Sequence, residues 1–296
     1  MTAKISSRPY ADIAAEITAA CDWLSELGFD YQCTRFGYYR RYLSELASIA
    51  TTPGTPVNWS PDQYLEFFEV AVDADEVCRI YRGLSEQSDE NLRQRLKRAV
   101  KGHNRMTLEG TSSTGRDFSF ELATAAKFAS CGLSVDFGTD ADVRLQIAPC
   151  EVFVECKRPG SSNGVEEAIK KGLSQLRKRF ESAEHGQKCR GVLVISIAKT
   201  VNPNFWKLSA PTPDLLSDFA AVQVANFVNR YGTYWKTRGD PRVMAVVAVL
   251  DAPAYIGQLR QEFVAHETEL DLNPASEDYV RDLWYLRNMG WGYLPK

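Results

Sequence analysis

The 296-residue sequence has little of what the commoner catalytic and metal-binding schemes require. It holds three histidines, His103, His185 and His266, and none has a metal-ligand partner at helical or knuckle spacing. The seven cysteines, at 21, 33, 78, 131, 150, 156 and 189, are scattered and form no CxxC pair. That pattern argues against a disulfide framework or a structural zinc site. There is no phosphate-binding P-loop, no dinucleotide fingerprint and no G-x-S-x-G elbow, and no cysteine has a convincing histidine partner. The longest uninterrupted apolar run, Val243 to Leu250, falls far short of a membrane span. Met1 to Tyr10 is polar and lacks a signal-peptide core, so the expected location is cytoplasmic, with no membrane partner. A formal charge of -3, from 35 basic and 38 acidic residues, excludes a chain-wide basic surface for nucleic acid. Any such footprint must be local.

Two local basic stretches exist. Asn91 to Arg105 carries Arg93, Arg95, Lys97, Arg98, Lys101 and Arg105 with no acid. Lys157 to Arg190 carries nine lysines and arginines against Glu166, Glu167, Glu181 and Glu184. Solvated helix faces account for such runs as well as a nucleic-acid surface does.

Up to about residue 101 the pattern is helical. Ile13, Ile17, Cys21, Leu24 and Leu27 recur at three- and four-residue steps, and Gly28 ends that helix. A second helix is expected from about Gln32 to Ile49, broken by Thr52-Pro53-Gly54-Thr55-Pro56. A third starts at Ser60-Pro61 and runs to about Tyr81, and a fourth covers Asp89 to Lys101. Gly110 to Gly115 is small and polar and reads as a linker. A helix Phe118–Ser130, stopped by Gly132, precedes three short β-type runs: Leu133 to Phe137, Ala141 to Ile147 and Glu151 to Lys157. A helix from Gly164 to Phe180 presents Val165, Ile169, Leu173, Leu176 and Phe180 on one face. Gly191 to Ile197 is apolar throughout, as in a strand buried on both sides. A helix over 214–229 and the strand 243–250 repeat the alternation. Asn273-Pro274 looks like a helix start before an aromatic tail with Trp284, Tyr285 and Trp291. The fold class that follows is α/β, a mixed central sheet flanked by helices, preceded by an all-α region.

The chemistry concentrates on the second and third of those β-type runs. Side chains alternate faces along a strand, so Glu155 and Lys157 point the same way, roughly 7 Å apart. If the two strands form a hairpin around Ala148-Pro149-Cys150 with a two- or four-residue loop, Asp142 lies opposite Glu155 or Lys157 and on their face. A three-residue loop sends it to the other face. Two carboxylates held together repel unless one is protonated or a cation bridges them. Hard oxygen ligands with open positions suit Mg²⁺ or Mn²⁺. Glu121, early in a small-residue helix, is the natural fourth member, and Asp140 shares the parity of Asp142. An acid two residues before a lysine arises by chance about once or twice in a chain of this composition, so the tripeptide Glu155-Cys156-Lys157 decides nothing alone. A surface strand with solvated charges is the other account. Phe153 on the same face, and the apolar Val152 and Val154, stand against it.

The stretch from Glu121 to Ile197 resembles the PD-(D/E)XK (restriction-endonuclease-like) nuclease superfamily. The resemblance rests on FELATAAKFASCG, GTDADVRLQI, VFVECKRP, the helix with GLSQLRKRF, and GVLVISI. It implies an αβββαβ core in which Asp142 and Glu155 ligate the metal, joined by the Cys156 backbone carbonyl and by Glu121. It gives Lys157 the motif-lysine role and Gln175 that of the helix glutamine found in some branches. Ala141 stands where the motif has proline. The region covered is about a quarter of the chain. The implied activity is that of a Mg²⁺- or Mn²⁺-dependent endonuclease, with DNA favoured over RNA, as in restriction or anti-phage defence; double-strand cutting by this fold would usually need a homodimer. Arg158, Ser161, Lys170, Lys171, Arg177 and Lys178 are then the expected nucleic-acid contacts. The alternative is a catalytically inactive nuclease-like module that binds nucleic acid or protein. In outline, 1–109 is a helical domain, 110–255 the nuclease-like core and 256–296 a C-terminal extension packing on it.

Overall fold

The computed structural model describes residues 10–50, 59–109, 114–138, 141–183, 188–236, 240–258, 261–276 and 278–291. Four helices come first: α1 Tyr10–Glu26, α2 Arg35–Ala50, α3 Pro61–Leu84 and α4 Glu90–Ala99. Their ends obey local chemistry. Gly28 takes φ 84° beyond α1, in the left-handed region where a side chain is strained. Ser60 and Gln63 form a reciprocal capping box at α3, and the Asp89 carboxylate accepts from the Leu92 amide at α4. The expected breaker, 52–56, lies outside the described residues.

Helix α5, Thr114–Ser130, starts four residues earlier than the apolar pattern indicates. Of the expected linker only Thr114 and Gly115 are described, and both are helical. Packing overrides the composition here: a Cβ on Gly115 would stand 1.9 Å from the Lys101 carbonyl oxygen, so the glycine serves close approach. The next residue, Arg116, is fully buried and donates to Asp73 at 2.9 and 2.6 Å. Tyr39 donates to the same carboxylate at 2.7 Å, and Arg35 caps the Ala99 carbonyl at 3.0 and 2.8 Å. The start of α5 is thereby locked to α2, α3 and α4.

After α5 the order is β1 Val135–Asp136, β2 Val143–Ile147, β3 Cys150–Lys157, α6 Val165–Ser182, β4 Lys188–Ser196, α7 Ala198–Val201, β5 Leu208–Ala210, α8 Pro213–Tyr231, α9 Thr233–Lys236, β6 Val243–Ile256, β7 Gln261–Leu272 and α10 Tyr279–Leu286. Among the described residues these strands make one mixed sheet. β1, β2 and β3 form an antiparallel meander, β4 runs parallel to β3, and β6 runs parallel to β4. The far half of β6 pairs with β5, and β7 runs antiparallel along β6.

The alternation of β3 and β4 divides the core in two. Val152, Val154, Val192 and Val194 face α5 and the N-terminal helices, in one cluster that runs from Ile13 to Trp291. Phe153, Leu193 and Ile195 face α6 and α8. The sheet is therefore a middle layer with helices on both sides.

The C-terminal part differs from expectation. β6 continues six residues past Leu250, and β7 was not anticipated, because Glu262, Glu267, Glu269 and Asp271 give its sequence a polar cast. Asn273-Pro274 opens a turn, not a helix: the Asn273 side chain donates to the carbonyls of Asp240 and Val243. The helix starts at Tyr279, capped by Asp278. Trp291 closes the described chain, edge-on to Phe128 at 5.0 Å. No helix among the described residues is long and apolar enough to cross a membrane.

Candidate metal centre

The hairpin joining β2 and β3 turns on two residues, Ala148 and Pro149, with Ile147 paired to Cys150 and Val143 to Val154. One step further along this ladder puts Asp142 across from Glu155. An even loop thus brings the three motif side chains to one face, the face covered by α6.

Glu155 is fully buried, in the middle of the sheet between β2 and β4. A carboxylate there is tolerated only with partners. It has two. Lys157 Nζ donates to its Oε2 at 3.2 Å, and Arg179 Nε, from α6, donates to its Oε1 at 3.4 Å. The same ammonium donates to Asp142 Oδ2 at 3.3 Å and to the Cys156 carbonyl at 2.8 Å. Three oxygens therefore converge on one nitrogen and use all three of its protons. Asp142 is fixed independently as well, because its Oδ2 accepts from the Cys156 amide at 2.7 Å.

Helix α6 comes close enough for Arg179 to reach inward because residue 172 is glycine. A Cβ there would stand 2.5 Å from Leu193 Cδ1 and 3.4 Å from Lys157 Cγ. Gln175 lies between Gly172 and Arg179 on the helix. Its Oε1 is buried without a hydrogen-bond partner.

Glu121 arrives from the other side of the sheet, on α5. Its carboxylate is held by Arg95 of α4. Arg95 also donates to the Ala141 carbonyl at 3.0 Å and lies 5.3 Å over the Phe137 ring. Glu121 therefore reaches the vicinity of Asp142 but points its oxygen at a guanidinium.

The charges acting on these groups are strong. Burial, reinforced by the negative charge of Asp142, pushes the Glu155 carboxyl up to about 7, with Lys157 and Arg179 acting against it. The same two causes push Glu121 up to about 8, opposed by Arg95. Burial pulls the Lys157 ammonium down, yet Asp142 and Glu155 outweigh it and the net shift is upward. Lys157 is accordingly protonated at neutral pH in this arrangement.

Of the expected nucleic-acid contacts, Ser161, Lys171, Arg177 and Lys178 are exposed, and exposed Lys170 pairs with Glu166. Arg158 departs from expectation. Its side chain is 6% exposed and turns back to α3, with Nη1 3.2 Å from the Arg116 carbonyl and 3.6 Å from Glu76 Oε2. A buried acid opposite it explains the turn, and leaves the guanidinium unable to meet a phosphate. Asp140 lies outside the described residues.

Arg95 and Arg179, which the sequence reading places only among the cations of the two basic stretches, are members of the acidic centre. Arg179 had a signal, since it falls seven residues after Gly172 and beside the buried stripe of α6. Arg95 had none beyond its place in a basic run.

As to a metal, the donors at the focus are hard oxygens, which fit Mg²⁺ or Mn²⁺. Among the described residues no group of three His, Cys, Asp or Glu side chains is gathered for an ion. The set is two carboxylates completed by a backbone carbonyl. Comparison with protein-family models, with curated proteins and with solved structures returns no match, so the function must be argued from this geometry.

Proposed function

We propose that this chain is a metal-dependent endonuclease of the PD-(D/E)XK type that hydrolyses phosphodiester bonds, with DNA its favoured substrate. One observation carries the proposal: Asp142 Oδ2, Glu155 Oε2 and the Cys156 carbonyl oxygen all lie within 3.3 Å of a single cationic point, Lys157 Nζ. A focus of three hard oxygens at the end of a sheet is a cation site, here satisfied by the chain's own ammonium. The order α5-β1-β2-β3-α6-β4, with β4 parallel to β3, supports the family assignment.

Asp142, Glu155 and the Cys156 carbonyl would hold Mg²⁺ or Mn²⁺, which supplies a Lewis acid for the phosphate and an acidified water. Lys157 would give up its place at the focus and turn to the substrate. With the acids' charge offset, the causes that raise its pKa weaken, and it becomes suited to orient water or to neutralise charge growing on the phosphate. Arg179 remains as a positive partner of Glu155 when the ammonium leaves, and Gln175 would take the water-orienting role of the helix glutamine. Lys171, Arg177 and Lys178 on α6 supply phosphate contacts without base reading.

The test is incubation of supercoiled plasmid with the protein and Mg²⁺ or Mn²⁺, alongside Asp142→Ala and Lys157→Ala. Nicking is expected from the parent alone; equal nicking by both variants would sink the proposal.

A second reading has an observation in its favour. Three acids (Asp142, Glu155, Glu121) are matched by three cations (Lys157, Arg179, Arg95), a balance that needs no metal. A nucleic-acid-binding module without cleavage would keep this balance. Salt-dependent DNA binding with no Mn²⁺ affinity would select it.

A further inference from the structure

The face of the sheet opposite Lys157 holds a cavity of about 220 Å³, bounded by α3, α5, β4, β6, β7 and Trp291. Val194 and Val249 form its floor, on the side of the sheet that Glu155 does not face. The polar lining comprises cations, hydroxyls, the His266 imidazole and the Trp291 indole. Arg79 and Arg82 come from α3, Lys127 from α5, His266 and Thr268 from β7, and no carboxylate is among the described lining residues.

The cations differ in how far they are neutralised. Arg79 is tied down behind the cavity, with Nε 3.2 Å from Asp75 and Nη2 3.1 Å from Asp251. His266 Nδ1 stands 2.6 Å from Asp251 Oδ1. The same nitrogen lies 3.3 Å from Arg79 Nη1, so the imidazole is wedged between that guanidinium and the buried Asp251 carboxylate, which Arg79 holds well below the usual carboxylate range against the penalty of burial. His266 is itself one of the lining residues. Arg82 pairs with Glu16 at the partly exposed rim. Lys127 has no carboxylate partner among the described residues and stands 5.6 Å over the Trp291 ring. Burial pulls its ammonium below the ordinary value, with Cys131 opposing the shift and Arg79 adding to it. A largely desolvated lysine facing a carboxylate-free cavity is an arrangement that an anion would complete.

We propose that this cavity binds a small phosphate monoester, its phosphoryl group between Lys127, Arg82 and His266 and its organic moiety against Trp291, Val194 and Val249. The charged end meets the Lys127 ammonium and the Arg82 guanidinium, and the apolar walls favour an ester over the free ion. This site is separate from the acidic centre and stands whether or not that centre cleaves DNA.

The experiment is isothermal titration of the full chain, without divalent metal, using phenyl phosphate, inorganic phosphate and phenol as probes. Phenyl phosphate is expected to bind saturably and more tightly than inorganic phosphate, with phenol giving no binding. Lys127→Met should weaken phenyl phosphate by about tenfold or more, the scale of one charge-assisted hydrogen bond. Arg82→Gln, at the rim and away from the core, should weaken it less and guards against a folding defect in the first variant. Absence of saturable binding, equal affinity for the ester and the free ion, or affinity unchanged in both variants would overturn the assignment.

Discussion

The Asp142 carboxylate accepts a hydrogen bond from the backbone amide of Cys156 at 2.7 Å, across the β2–β3 hairpin. This bond places the acid without help from Lys157. The lysine is a tenant of the oxygen focus, and the acid is part of its frame. Removing one or the other should therefore have different consequences.

Lys157→Ala should abolish cleavage, by two orders of magnitude or more on the scale of lost electrostatic stabilisation, while Mn²⁺ affinity holds or rises, because the competing ammonium is gone. Asp142→Ala should lose both. Titration with Mn²⁺, followed by calorimetry on proteins shown to be folded, checks this. Loss of Mn²⁺ binding in Lys157→Ala would show that the ammonium helps to build the focus.

Stability of the metal-free protein should fall as pH rises from about 4.5 to about 8. Glu155 and Glu121 titrate near 7 and 8 in the fold against an ordinary 4.5, so the folded state holds their protons more tightly than the unfolded chain. Their contribution is full below 4.5 and is lost through those two values. It amounts to several kcal/mol for the pair. Asp73, lowered to about 2, acts with the opposite sign but only below pH 4. Urea unfolding at pH 5, 6.5 and 8, compared with a Glu121→Gln/Glu155→Gln variant, isolates the effect; parallel curves for the two proteins would refute it. Added Mn²⁺ should stabilise more at pH 8 than at pH 6, since its ligands must lose their protons.

Asp73→Ala should destabilise the fold by about 3–5 kcal/mol, the scale for orphaning a buried charge. Arg116 and Arg35 both face this carboxylate with no exposure to water. Chemical denaturation measures it, and a change under 1 kcal/mol would mean that the network is dispensable.

Much of the architecture was legible because it follows from local chemistry. Ser60 and Asp89 cap helices as their types dictate, and Gly28 and Gly132 stop them at positive φ. The face shared by Asp142, Glu155 and Lys157 followed from strand parity once the loop was even, and the two-residue turn at Ala148-Pro149 makes it so. Contacts between elements distant in sequence were not legible. Nothing near Arg158 announces Glu76, 82 residues earlier, and nothing near Arg95 announces Glu121. β7 escaped notice because a strand that pairs along one long neighbour tolerates glutamates that a central strand excludes.

Arg95 carries a last consequence. It belongs to α4, yet it grips Glu121 of α5 and the carbonyl immediately before Asp142. The helical half is thus a working part of the acidic centre and no mere attachment to it. A shortened protein beginning near residue 110 would strip Glu121 of its counter-charge and lay bare the apolar side of α5. Any fragment meant to keep the acidic centre intact must carry α4 with it.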